Sequence, residues 1–292
     1  MADAKLPAAQ PAMGSPVKFN RAAASPLPAR AQDVTALMPQ KEPEPPIETG
    51  IDLSDKPKII FAAGRGKTGK TTLLRWLTET SLRAGHSVLL ADIDPSNASF
   101  SGYFNDVARP DTDNAAGVTT WLQELLEHCV ITKQSAIIDL GGGDTTLRAL
   151  ATEMPDLAAT LEAAGIAPVM FYLLGTQPED LTPAMTLTSR GFMPAAQALV
   201  LNEVSIQTGQ TRRHAFARLI DTPGFQSIAR NSVQLWMPRL FAADAIESRQ
   251  CRFYEAMEGR IELPLGIFDH ARIRMWLELM THRFSGVASW IP

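Results

Sequence analysis

From Pro57 onward, short apolar runs alternate with longer stretches in which apolar residues recur every three or four positions. The runs at 58–63, 87–91, 135–140, 168–174 and 196–201 are each apolar at consecutive positions rather than at every second one. Such runs suit strands covered by helices on both faces, because a half-exposed strand would alternate apolar and polar residues. Helical periodicity fills the gaps at 70–84, 118–130, 145–165 with a break at Pro155, and 182–191. Beyond 205 the pattern thins to a run at 233–240, a helix around 242–257 and a last helix at about 270–284. Strand, helix, strand in succession predicts an α/β domain over 58–292: a doubly wound, mostly parallel sheet with helices on both faces.

Residues 1–57 have no such periodicity. They hold ten of the 21 prolines, many alanines and a single aromatic residue, Phe19, a composition that cannot bury a core. The expectation is a disordered Pro/Ala-rich arm, basic at first (Lys5, Lys18, Arg21, Arg30) and acidic at its end (Glu42, Glu44, Glu48, Asp52, Asp55). A solubilising tether is its plain reading, and partner docking the alternative.

Composition narrows the function classes. Of 292 residues 45% are hydrophobic and 20% charged, and no apolar run reaches the roughly 20 residues of a membrane-spanning helix. The first residues lack the apolar core of a secretory signal, and Cys129 and Cys251 stand far apart without metal-ligand spacing, so a cytoplasmic protein with packed thiols is expected. A net charge of −4 removes the simplest case for a basic nucleic-acid binder and leaves room for a local basic face.

The strongest chemical signal is Gly64-Arg65-Gly66-Lys67-Thr68-Gly69-Lys70-Thr71, which matches G-x-x-x-x-G-K-[ST] between an apolar strand and a helix. The glycines let backbone N–H groups turn inward around phosphate oxygens, and the helix N-terminus adds its positive end. Lys70 would reach the β- and γ-phosphates, Thr71 would place its hydroxyl on Mg²⁺, and Thr72 would meet the α-phosphate. The bland alternative is a glycine-rich turn with no ligand. Two acidic segments add to the case. Asp92-Ile93-Asp94-Pro95 closes the second strand with carboxylates two residues apart, which a strand places on one side, where a cation such as Mg²⁺ relieves their repulsion. Asp139 closes the third strand ahead of Gly141-Gly142-Gly143, as suits an acid that holds a metal-bound water. Taken singly, each of these acids could equally be a turn or capping residue.

Together these residues resemble the ParA/MinD group of P-loop ATPases, the deviant Walker A proteins of plasmid partition, chromosome segregation and division-site placement. The match runs from about 58 to 202 and more weakly to 264, with Asp92-Ile93-Asp94-Pro95 the closest piece. The resemblance implies that Leu201-Asn202 and Leu263-Pro264 contact adenine, making Asn202 and Pro264 cofactor-binding positions beside the loop residues Gly64 to Thr72. It implies an ATP- and Mg²⁺-dependent hydrolase with slow intrinsic turnover, Lys70 and Asp94 in catalysis, and Thr71, Asp94 and Asp139 at the metal. The loop departs from the family pattern: the lysine that reaches across a dimer interface falls on Arg65, and a family glycine on Lys67. Arg65 could supply that cation with a bidentate guanidinium, Lys67 could take its place, or neither could, leaving a binder with little turnover.

The resemblance also implies an ATP-bound homodimer that releases on hydrolysis and positions DNA or a protein cargo, with an activating partner the residues do not identify. Membrane targeting is not expected, since the chain ends without a basic amphipathic helix. Non-specific DNA fits somewhat better: eleven arginines face eight acids from 205 onward, densest at Arg212, Arg213, His214 and Arg218, although a solvated helix face explains that cluster as well. Two other classes stay open, a small-molecule kinase or ATP-dependent ligase on the same fold, and a nucleotide-sensing scaffold.

Overall fold

Seven strands stand in the order β3-β2-β4-β1-β5-β6-β7, and every pairing between them is parallel. The computed structural model describes residues 42–94, 100–141 and 145–292, and these belong to one unit, Glu42–Pro292. The expectations for residues 1–41, for Pro95 and for Gly142 and Gly143 lie outside the described residues.

The strands are β1 (Lys58–Ala63), β2 (Leu89–Asp92), β3 (Val107–Ala108), β4 (Ala136–Asp139), β5 (Ala167–Leu174), β6 (Ala196–Asn202) and β7 (Val233–Met237). All residues of β1, β4, β5 and β6 are buried, as continuous apolar runs require. The strand period of two sorts them between two cores: Ile59, Phe61, Met170 and Tyr172 point to one, and Ile60, Ala62, Val169 and Phe171 to the other. The first core is covered by α2 (Ala115–Thr132), α3 (Thr145–Glu153), α4 (Leu157–Ala163), α5 (Thr182–Ser189), α6 (Arg212–Ile220) and α7 (Pro223–Ala229). The second is covered by α1 (Lys70–Arg83), α8 (Ala243–Glu247), α9 (Phe253–Met257) and α10 (Ile267–Arg283), with Trp76, Trp276 and Trp290 fully buried among them. The doubly wound α/β fold is therefore as the sequence indicates. Among the described residues no helix is long and apolar enough to cross a membrane.

Three expectations change. The helix expected at 242–257 is two short ones, because the chain turns between them with Gln250 at φ 46°, a conformation a continuing helix forbids. The segment after 205 carries α6 and α7, started by Thr211 and Thr222, whose side chains accept from the N–H of His214 and Phe225. Thirdly, residues 42–57, assigned to the arm, lie along the domain. Gly50 N–H donates to Gly286 O at 2.9 Å, Trp290 Nε1 donates to Ile51 O at 2.8 Å, and Leu53 is buried. Three acids of this strap meet partners on the domain: Glu42 meets Arg212, Glu44 meets Arg283, and Glu48 accepts from Gln234 N–H on the edge strand β7 at 2.6 Å. A periodicity scan misses such a segment because its backbone bonds run to distant residues and not along itself.

Strand order also locates the site. The chain leaves β1 through α1 toward β2 on one side, and later returns with β5 on the other side of β1. Crevices for ligands open beyond the carboxyl ends of strands where the winding reverses, and here that is the end of β1.

Candidate functional site

The loop after β1 is shaped by close approach. A Cβ on Gly64 would stand 2.6 Å from the backbone oxygen of Leu173 on β5, so only glycine lets the loop leave the sheet here. Lys67 takes φ 64° and Gly69 φ 95°, and Thr68 Oγ1 donates to Arg65 O at 2.7 Å, folding the loop back over the start of α1. Gly69 caps α1 without a side-chain acceptor, which leaves the first N–H groups of a 14-residue helix to meet an anion. Lys70, buried, sends Nζ to Gly64 O at 2.9 Å and Arg65 O at 3.1 Å, so the ammonium stands inside the loop it follows.

Two strand ends bring in the acids. Asp92 and Asp139 are register partners on β2 and β4. Asp139 Oδ2 accepts from Thr71 Oγ1 at 3.0 Å, and Oδ1 accepts from Gly141 N–H at 3.1 Å. Burial raises its carboxyl above the ordinary range, while Gly141, Thr71 and Lys70 pull the other way. Asp94 lines the same cavity, and a Cβ on Gly141, at φ 72°, would fall 2.7 Å from its Cγ. The expected pairing of Asp92 with Asp94 on one strand face does not hold. β2 ends at Asp92, and that carboxylate is taken up by the N–H groups of Asp94 and Ser101, both at 3.1 Å. Among the described residues no group of three or more His, Cys, Asp or Glu forms a metal cluster, and a hydroxyl with two carboxylates is the donor set at this place.

These groups open onto a cavity of about 760 Å³ that also takes in Gly66, Lys67, Thr72 and Asn202. Arg65 is more than half exposed and lies 3.6 Å from Asp180, a buried acid that also accepts from Gln177 N–H. Asn202 is buried at the end of β6, with Nδ2 donating to Thr68 O at 2.8 Å and Oδ1 accepting from Val204 N–H at 3.0 Å. Pro264 is not among the cavity's lining residues; Pro238, in the turn after β7, is. Arg75, Tyr103 and Glu247 line the far end and were missed by motif reading. The signal for Arg75 was a cation inside the apolar run Leu73-Leu74-Arg75-Trp76-Leu77. Away from the cavity, Arg212 is bound by Glu42, Glu203 and Pro43 O, which reduces the exposed members of the basic cluster to Arg213, His214 and Arg218.

The geometry is that of a P-loop nucleoside-triphosphatase fold. No protein-family model matches the chain, and no curated protein matches it. Among solved structures, the cell division protein FtsY of Thermotoga maritima is similar at 13% identity, over 79% of this chain and 72% of that one, with a TM-score of 0.45. The MinC:MinD cell division protein complex of Aquifex aeolicus is similar at 13% identity, over 77% and 95%, also at 0.45. The signal recognition particle receptor FtsY of Elizabethkingia anophelis reaches 18% identity over 63% and 59%, at 0.39. Likeness at this level carries nothing about substrate or partner.

Arg75 joins the cavity to a buried ionisable group. Its guanidinium lies 3.4 Å from the Tyr103 ring centroid and 4.3 Å from that of Phe253, and Nη2 donates to Cys251 O at 2.9 Å. One turn along α1, Glu79 accepts the N–H groups of Phe253 and Tyr254, both at 2.9 Å, and so anchors α9. Burial pushes the Glu79 carboxyl from 4.5 up to about 7, against the pull of those N–H groups and of Arg75 and Arg252. A carboxyl that binds its proton more tightly when folded costs stability as pH climbs from 4.5 to about 7, and the loss is complete above that. Urea unfolding at pH 5 and pH 8 is expected to show Glu79→Gln losing less stability than the parent over this step. The difference is on the order of 3 kcal/mol at most. An identical pH dependence in the two proteins would show Glu79 ionised throughout.

Proposed function

We propose that the chain is a Mg²⁺-dependent ATPase of the ParA/MinD type, alternating between an ATP-bound dimer and a released monomer to position DNA or a protein cargo. The observation that carries this is the convergence of Lys70, Thr71, Asp94 and Asp139 around a glycine cradle at the carboxyl end of the central strands. A triphosphate suits that cradle: its tight course depends on glycine, since a Cβ at Gly64 would meet Leu173 O and one at Gly69 would meet Asn202 Nδ2, and the α1 N-terminus lacks a side-chain cap. Thr71 Oγ1 and the Asp139 and Asp94 carboxylates are hard oxygen donors of the kind Mg²⁺ takes when phosphate oxygens and water complete its shell. Magnesium, when bound, neutralises charge on the β- and γ-phosphates.

In this reading Lys70 exchanges the carbonyls of Gly64 and Arg65 for phosphate oxygens, and Thr72 meets the α-phosphate. Asp94 orients the attacking water by accepting one of its protons in a hydrogen bond, and hydrolysis yields ADP and phosphate. Arg65 is the cross-interface cation. Its guanidinium is more than half exposed beside Asp180, within reach of solvent and of a partner, and Lys67 would hold the same post if Arg65 does not. DNA would meet Arg213, His214 and Arg218, a small footprint, so a protein cargo is the better-supported partner. The far end of the cavity, with Arg75, Tyr103 and Glu247, favours the second reading: a kinase or ligase with another substrate bound there.

Solution mass decides between them. With ATP and Mg²⁺ the Asp94→Ala variant is expected to double from 31.7 kDa, to stay monomeric with ADP or without nucleotide, and to lose the dimer when Arg65→Ala is added. A mass that stays constant while ATP binds would remove the partition-type cycle and leave the kinase, ligase or sensor.

A further inference from the structure

We infer that Asn202 is a positioning residue for the phosphate loop, acting on every polyphosphate ligand alike. The inference rests on the nucleotide reading of the site and is distinct from the adenine contact that resemblance assigns to this position.

Three features of the side chain point this way. Both ends of the carboxamide are engaged by the protein: Nδ2 donates to Thr68 O at 2.8 Å and Oδ1 accepts from Val204 N–H at 3.0 Å. These partners fix its orientation, because a carbonyl can only accept and a backbone N–H can only donate, so a flipped amide would lose both bonds. The residue is 3% exposed at the end of β6, register partner of Met237 on β7, which ties its position to the sheet. It also presses against the turn of the loop, since a Cβ built on Gly69 would stand 2.4 Å from Nδ2. The bond to Thr68 O holds the peptide just before Gly69, at φ 95°, and so sets the direction of the N–H groups that open α1. Through Thr68 O the amide acts on the ligand by way of the loop that it fastens.

The test compares wild type, Asn202→Ala and Asn202→Asp in calorimetric titrations with ATP, GTP and inorganic tripolyphosphate, each with Mg²⁺, alongside melting of the ligand-free proteins. Losing one hydrogen bond that orders the loop is expected to weaken all three ligands by a common factor of about ten. Asn202→Asp keeps the shape and the bond from Val204 N–H but sets a carboxylate oxygen against Thr68 O. It is expected to weaken the three at least as much, with ligand-free melting within a few degrees of wild type. That second variant keeps the test open if Asn202→Ala folds poorly. Unchanged tripolyphosphate affinity beside a loss for one nucleotide would make Asn202 a base reader and overturn the inference, as would no change for any ligand. Wild-type protein that binds none of the three overturns the nucleotide reading itself, and the inference falls with it.

Discussion

Lys70→Ala is expected to weaken nucleoside triphosphate binding by at least about 100-fold and to bring hydrolysis below detection, while melting moves little. The ammonium is buried within the loop, where charge is screened less than at the surface. Among the described residues it bonds to the carbonyls of Gly64 and Arg65, neutral acceptors that a phosphate outcompetes. Each charge-assisted bond removed is worth about 1.5–3 kcal/mol, and two of them reach the factor stated. Stability changes less, because the loss of two bonds to carbonyls is offset by removing a charge from a buried place. Calorimetric titration with ATP and Mg²⁺ checks the first part and a thermal melt the second. Affinity within threefold of wild type would mean that the cavity is not a phosphate site.

The second large effect is structural. Gly69→Ala is expected to destabilise the fold by about 3 kcal/mol and to abolish nucleotide binding. Gly69 sits at φ 95°, in the left-handed region where a Cβ is strained, and that Cβ would collide with Asn202 Nδ2 at 2.4 Å. Asn202 cannot swing aside without giving up Thr68 O and Val204 N–H, so the strain passes into the loop. Gly66→Ala, three residues earlier, is the internal control: nothing lies within 4 Å of the added Cβ, and stability is expected to hold within about 0.5 kcal/mol. Urea unfolding of the two variants reads the contrast. Equal stabilities would show that the loop relaxes freely and that Asn202 does not constrain it.

The carboxylates illustrate how far local pattern carries. Asp94 and Asp139 could be singled out because they follow apolar strands, and both line the cavity. Asp92 has the same local setting, yet its carboxylate is taken by the N–H groups of Asp94, two residues on, and of Ser101, nine residues on, the second of which no local pattern announces. Glu42, Glu44 and Glu48 looked like a solvated acidic tail for the same reason, since the Arg212, Arg283 and Gln234 N–H groups they meet are far away in sequence.

What the chain's order of residues determined by itself was whatever depends on neighbours within a few positions. Continuous apolar runs made buried parallel strands, three-and-four periodicity made the helices between them, and Gly64 to Thr71 made a strand-to-helix turn rich in inward N–H groups. These are local consequences of backbone sterics and of burying one face at a time. Tertiary structure alone decided which groups share the cavity and which are consumed elsewhere. Arg75 and Tyr103 meet on its wall, Pro238 lines it where Pro264 does not, and Asn202 bonds the loop. The physical reason is that a hydrogen bond or a desolvated charge depends on distance in space, and the sheet order that sets that distance is a property of the whole packed core.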